Sequence, residues 1–259
     1  MYRVSAGCVR TYQGMFILFG VYFGRRGLLA NYCKQINTLV GLGRKAVGAP
    51  TIIGEVGIPY DVNGGEAMKT GDYRVQNELM YTLISALEQS FSSFTLWNYN
   101  PANTAAAGDG WNMEDFSIVN FEDRAADRAN KLRHDQLYKG GRTLDAIIRP
   151  YAAKVAGVPV RTHWDASTAT LTFTWEAAKI GAPTEVFLPR LYFDKVYAEL
   201  SNGTSEYRRD EQTLYVHAPP GRQWIRVSNE PRSSSLAAHV ALATVAAIVA
   251  FVVVQYEFV

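Results

Sequence analysis

Cysteine is nearly absent. The 259 residues contain two, Cys8 and Cys33, both near the N-terminus. Two thiols so placed make neither a disulfide framework nor a metal ligand set, so the redox compartment stays open. Net charge is nearly absent too. Twenty-six Lys and Arg against 24 Asp and Glu leave +2, which provides no long-range field for nucleic acid. No internal repeat and no phosphate-cradling loop is found. GLGRKAVG, residues 41–48, has the glycines of one, but no strand precedes it.

Long apolar runs are scarce, with two exceptions at the ends. The first residues, MYRVSAGCVRTYQGMFILFG, put Arg3 and Arg10 ahead of an apolar stretch. The small residues are in the wrong order for a signal peptide, so residues 1–21 stay unassigned. Leu236–Val254 reads LAAHVALATVAAIVAFVVV, with only His239 and Thr244 polar. A helix of that length reaches roughly 28 Å, close to the hydrocarbon thickness of a bilayer. A transmembrane helix over 236–254 is therefore the expectation, against a buried hydrophobic helix. Residues 230–235 serve as linker, or as the small-residue site of a lipid-anchor signal. Arg226 and Arg232 before the span and Glu257 after it favour a membrane-associated chain facing the cytosol. Asn202-Gly203-Thr204 fits a glycosylation acceptor and keeps a lumenal or extracellular side open.

What is abundant is apolar and aromatic. Apolar residues make up 48%, charged residues 19%, and there are 15 Tyr, 12 Phe and 5 Trp. This is a globular composition, and its aromatics suit either sugar-stacking surfaces or ordinary cores. From Tyr22 to Val47 the apolar positions recur at helical spacing; TII at 51–53 reads as a short strand; and GEVGIPYDVNGGEAM reads as loop. Tyr73–Gln89 is an amphipathic helix with Leu79, Leu83, Ile84 and Leu87 on its inner side, after a Gly71-Asp72 cap. FTLWNY, residues 94–99, is strand again, so the order is the β/α alternation of a parallel sheet. A loop of about 21 residues follows, longer than structureless connections usually run unless they are functional. Glu122–His134 is read as a charged surface helix and Thr143–Ile148 as a short helical turn. Beyond Pro150 the texture changes to TLTFTWE, EVFLP, KVYAEL, TLYVHA and QWIRVS, separated by turn signals. Five or six such strands predict a small β-sandwich over 150–229.

Three acidic positions and one aromatic draw the chemistry. Glu55 lies between glycines at the end of the first strand, where it is either a catalytic carboxylate or a turn acid. Trp97 ends the second strand, as a stacking surface or as core. Glu114 and Asp115 in the long loop are contacts, caps or solvated acids.

The motifs TIIGEVGIPYD, KTGDYR, FTLWNYNP, GDGWNMEDFSI and GGRTLDAIIRPY with VAGVP resemble, in order, the C-terminal half of fungal glycoside hydrolase family 5 proteins. The similarity is to the endoglycoceramidase-related branch of glucosylceramidases and ergosteryl-β-glucosidases, over about Tyr22 to Asn229. It implies an α/β fold: the last strands of a TIM (β/α)8 barrel over 22–149, then the β-sandwich. It implies a retaining mechanism in which Glu55 is the nucleophile and Trp97 stacks beneath the sugar. Asn98 and Tyr99 follow it, and Trp111, Asn112, Glu114 and Asp115 become substrate contacts. The substrate is a glycolipid β-glucoside, ceramide- or sterol-linked, and no cofactor is needed. The family's acid/base sits in an Asn-Glu-Pro motif upstream of the nucleophile. Here Asn229-Glu230-Pro231 lies downstream, beyond the sandwich, and does not qualify. Only about fifty residues precede Glu55, too few for six further strands and their helices. The expectation is a truncated chain with a nucleophile and no acid, inactive alone and exposing a sheet edge and an apolar helix face. The alternative is an inactive membrane-associated carbohydrate- or lipid-binding remnant.

Overall fold

The computed structural model of the chain describes residues 24–122 and 138–231. The expectations for residues 1–21, for nearly all of the helix at 122–134 and for the span at 236–254 lie outside them. Among the described residues, no helix is long and apolar enough to cross a membrane.

The first unit is a β/α/β crossover. Helix α1 (Gly24–Val47) packs on α3 (Arg74–Gln89), and strands β1 (Ile52–Val56) and β2 (Ser93–Leu96) pair in parallel. Parallel neighbours need a crossover, and α3 with the turn before it is that connection. Asp72 accepts a hydrogen bond from the Arg74 amide, satisfying a first-turn donor of α3 that has no partner inside the helix. Met80, Leu83, Ile84 and Leu87 form its buried stripe and meet Ile36 of α1 and Ile53, Val56, Phe94 and Leu96 of the strands. The segment expected to be loop after Glu55 is partly regular. β1 runs through Glu55 to Val56, and α2 spans Val62–Thr70, although Asn63, Gly64 and Gly65 sit in the left-handed region inside it. That turn is why NGG reads as loop. The apolar side chains Leu39, Leu42 and Val47 of α1 and Ile52 of β1 are exposed, and β1 pairs only with β2 among the described residues.

After a short helix α4 (Leu144–Ile147), eight strands form two four-stranded antiparallel sheets: β3 (Tyr151–Lys154), β4 (Gly157–Asp165), β5 (Thr170–Ala177), β6 (Thr184–Phe187), β7 (Tyr197–Leu200), β8 (Thr204–Arg208), β9 (Thr213–His217) and β10 (Gly221–Ser228). Their orders are β4-β5-β10-β7 and β3-β6-β9-β8. Inward residues of both sheets, among them Trp164, Phe173, Trp175, Val186, Leu214, Val216 and Ile225, make one core. Three strands escape the sequence pattern: β3, β4 and β8. All three lie at sheet edges, where alternation is weakest. β4 carries Pro159 beside a bulge, and β8 carries Glu206 and Arg208. Edge strands tolerate such residues because one side of the ladder faces no partner.

The two cores are joined at Tyr81 of α3, which packs against both. Its hydroxyl donates to the Trp164 carbonyl at 2.6 Å, and the guanidinium carbons of Arg25 and Arg149 lie 4.2 and 4.5 Å from the centre of its ring. Arg149 stands at the chain's passage into the sandwich. It is buried, donates to the Tyr81 carbonyl and Ser85 Oγ, and pairs with Glu88 at 2.7 Å. Burial pushes the Glu88 carboxyl up to about 7, with the Arg149 charge opposing the shift without cancelling it. Between about 4.5 and 7 the folded chain therefore keeps a proton that the unfolded chain has released, and stability falls as pH rises through that window. Wild type is expected to lose on the order of 1–3 kcal/mol across it relative to Glu88→Gln, which flattens the dependence. Chemical denaturation of both proteins at several pH values measures this, and parallel pH profiles would refute it.

Candidate active site

Glu55 owes its position to a register irregularity. Ile53 pairs with Phe94 and Val56 with Leu96, so Gly54 and Glu55 together oppose Thr95 alone. This is a β-bulge, the device by which a strand re-aims a side chain. Ile53 and Val56 both pack on the helices, while Glu55 is exposed. Thr95 Oγ1 donates to the Gly54 carbonyl across the bulge and ties it down. Among the described residues, Glu55 makes no ion pair and no side-chain hydrogen bond. Its carboxylate is free to meet a ligand.

Trp97 follows directly on the neighbouring strand. Its amide donates to the Val56 carbonyl at 2.8 Å, and the Trp97–Asn98 peptide is cis. The half-buried Trp97 ring belongs to neither hydrophobic core. The two flanking glycines differ in role. A Cβ on Gly57 would lie 1.9 Å from the Trp97 carbonyl oxygen, so a bare backbone is required there. A Cβ on Gly54 would meet nothing within 4 Å. Close backbone approach thus belongs to Gly57 and not to Gly54, and neither has a positive φ.

The long loop is folded by its own polar side chains. Asp109 is its hub: one carboxylate oxygen accepts from Asn98 Nδ2 and the Phe116 amide, both at 2.9 Å, and the other from Asn103 Nδ2 at 2.7 Å. Gly108 and Gly110 on either side have φ of 56° and 67°, and a Cβ on Gly108 would strike the Glu114 carbonyl. GDG is thus a backbone requirement around a structural carboxylate. Backbone bonds from Asn98 to Phe116 and from Ile118 to Asn98 clamp the loop's ends to the site.

Of the expected contacts, Tyr99, Trp111 and Asn112 are exposed on this loop, and Glu114 is half-buried, with its backbone bonded to Trp111 and Asp109. Asn98 is committed to Asp109 through its amide nitrogen. Asp115 departs from expectation. It is buried and turned away from solvent, with its carboxylate bonded to Arg142 at 2.5 and 3.1 Å and to Asn103 at 3.0 Å. A substrate cannot reach it, and its role is to hold the loop. Arg142 also donates to the Ser117 carbonyl and stacks 4.0 Å over the ring of Tyr60. Desolvation lowers the Arg142 pKa, but its bonds and charge interaction with Asp115 outweigh this and hold it above the usual value. Burial raises the Tyr60 phenol, whose hydroxyl lies 2.6 Å from Thr143 Oγ1. Asp109, Asn103 and Arg142 were not singled out in the sequence. The glycines around Asp109 were the available signal; a lone arginine in GGRTLD offered none.

Residues 149–227 match the glycoside hydrolase family 5 C-terminal domain. The chain is 41% identical over 197 residues to a glucosylceramidase of Cryptococcus neoformans var. grubii, covering 72% of this chain and 26% of that protein. It is 39% identical over 217 residues to a glucosylceramidase of Rhizopus delemar, covering 78% and 31%. The chain therefore spans between a quarter and a third of the length of these curated relatives. In solved structures, the fold matches the crystal structure of Cryptococcus neoformans sterylglucosidase 1 with a TM-score of 0.69, over 80% of this chain and 33% of that one at 24% identity. That likeness is one of fold.

Two expectations follow from the geometry. Gly57→Ala forces the Trp97 carbonyl aside and is expected to cost roughly 1–3 kcal/mol, while Gly54→Ala costs nothing or adds slightly to stability. Equal effects in thermal or denaturant unfolding would contradict the difference in packing. Asp115→Asn leaves a buried guanidinium without its counter-charge and is expected to destabilise by about 3–5 kcal/mol. A loss under 1 kcal/mol, the surface-pair scale, would show that the pair is hydrated.

Proposed function

We propose that this chain, which belongs through its C-terminal portion to glycoside hydrolase family 5, carries the nucleophile of a retaining β-glucosidase that acts on glycolipids. The observation that carries the reading is Glu55, held by a bulge on the open face of a strand end with Trp97 beside it. β1 and β2 are then the last two strands of a (β/α)8 barrel, with the sandwich over 150–229 following them. Exposed Ile52, Leu39, Leu42 and Val47 support this, since further strand–helix units would cover them. The glucosylceramidase relatives favour a ceramide-linked glucoside, and the fold likeness to a sterylglucosidase keeps a sterol-linked one in view.

In this reading Glu55 attacks the anomeric carbon while Trp97 offers a flat face to the C–H surface of the sugar ring. The bond to the leaving oxygen breaks, and a glycosyl ester on Glu55 forms. Water then attacks the anomeric carbon, its proton passing back to the group that protonated the leaving oxygen, and glucose and free Glu55 are released with net retention. The leaving oxygen needs a proton from a second carboxyl about 5 Å from the first. Glu55 cannot supply it while acting as nucleophile. We place that acid on the part of the longer relatives that this chain does not span. Asp109, Asp115 and Arg142 act as positioning residues by fixing the loop over the site.

The chain alone is expected to hydrolyse neither a nitrophenyl β-glucoside nor glucosylceramide. A chimera that restores the preceding region from the Cryptococcus relative should turn over both, and Glu55→Gln should lower its kcat by roughly 10³-fold or more. Full turnover by the Glu55→Gln chimera would remove Glu55 from the reaction. Hydrolysis by the lone chain would show that no outside acid is needed.

A further inference from the structure

The loop that follows Trp97 presents an apolar tip to solvent. Tyr99, Trp111 and Met113 are 66%, 61% and 96% exposed. Between Tyr99 and Met113 the only charged residue is Asp109, and its carboxylate is taken up inside the loop by Asn98, Asn103 and the Phe116 amide. The outside of the tip, which includes Pro101, Ala102, Ala105, Ala106 and Ala107, has no charged side chain of its own; the exposed Glu122 carboxylate accepts from the Ala105 amide at its base, and half-buried Glu114 follows Met113.

The tip is also rigid. Thr104 and Gly108 exchange backbone hydrogen bonds, Gly110 donates to the Ala107 carbonyl, Glu114 to Trp111 and Asp109 to Glu114. Asn112 and Met113 are both left-handed, with φ of 48° and 55°. Two consecutive non-glycine residues there are strained, and no burial of Met113 compensates for it. An exposed apolar group on a floppy loop is ordinary. Here a cross-braced loop holds two large apolar side chains out into water.

We infer that residues 99–113 form a membrane-docking loop whose tip lays Trp111 and Met113 into the interfacial layer of the bilayer that carries the substrate. The inference rests on the glycolipid reading above. Tryptophan suits the headgroup level, with an apolar ring and a polar N–H, and methionine adapts to irregular packing among lipid chains. Shallow burial of such a face, about 5–10 Å into the headgroup and acyl boundary, is the mode of interfacial anchors. Preorganisation means that little loop entropy is lost on docking. Residues 99–113 have no cation to draw anionic headgroups, and the nearest acids lie at the base of the loop, so the contact matches a zwitterionic bilayer and is expected to respond little to salt and to gain nothing from anionic lipid. The loop starts at the residue after Trp97 and Asn98, so docking holds the Glu55 rim at the membrane surface, where a glycolipid presents its sugar.

The full 259-residue chain tests this, with Cys8 and Cys33 replaced by Ser and an environment-sensitive fluorophore on Met113→Cys. Phosphatidylcholine vesicles containing glucosylceramide should shift its emission to the blue, and lipids bearing a spin-label quencher should quench it. A fluorophore on Asn202→Cys, at the turn between β7 and β8, should stay in water. Raising the salt concentration should change neither result. A chain that sediments with vesicles while the probe at 113 stays in water is held by another segment, which overturns the proposal, as does a chain that does not sediment. Shielding of the probe that depends on protein concentration, without vesicles, makes the tip a contact between copies and overturns it too. The measurement needs no turnover, so its failure is distinct from a failure of Glu55 in the chimera.

Discussion

The buried pair between Asp115 and Arg142 is the constraint on which the site hangs. Neither charge can reach water, so each must be satisfied by the other and by neighbouring dipoles. Asn103, the Ser117 carbonyl and the Tyr60 ring supply those. Because the partners come from the long loop and from the segment before α4, the pair fixes the loop to the body of the chain. The Tyr60 amide also donates to the Asp115 carbonyl, which ties the exit of β1 into the same knot. With that in place Asp109 can fold the loop's interior and leave its tip outside. A salt bridge of this kind contributes more to a single conformation than to stability, since its desolvation offsets much of its attraction.

A second buried pair, Arg149 with Glu88, plays the corresponding part at the junction with the sandwich. The two differ in balance. Asp115 outweighs desolvation at Arg142, whereas at Glu88 burial outweighs its partner. The first junction is electrostatically settled and the second is titratable near neutrality. The long loop and the sandwich are thus tied to the body of the chain by buried pairs of unlike balance, one before α4 in sequence and one after it.

Much of this fold was legible in the sequence because its central elements obey their periods. The inner stripe of α3 and the alternation in β5, β9 and β10 follow from burial on one face, which the sequence must encode. Three of the four edge strands, β3, β4 and β8, are not legible, since an edge asks little of its residues; β7, the fourth, is legible because KVYAEL keeps its alternation. At the site, Glu55 and Trp97 stood out by their place at strand ends. Asp115 was misjudged for a physical reason: in sequence it sits beside Glu114 in an acidic pair, and only the distant Arg142 distinguishes the buried carboxylate from the accessible one. Local pattern cannot see a partner 27 residues away.

The bulge at Gly54 and Glu55 makes the location of the Glu55 carboxylate a matter of parity. In a regular strand, residues 53 and 55 share a face, so Glu55 would lie with Ile53 against the helices, and Val56 would face outward. One supernumerary residue reverses this, and a carboxylate coexists with two apolar neighbours that both point inward. The carboxylate is therefore encoded less by its own identity than by the count of residues between two anchors. Substitution at 54 leaves that count intact, whereas a ladder running regularly through both residues would turn the acid into the hydrophobic layer. Register at this point matters to the acid's placement as much as the glutamate does.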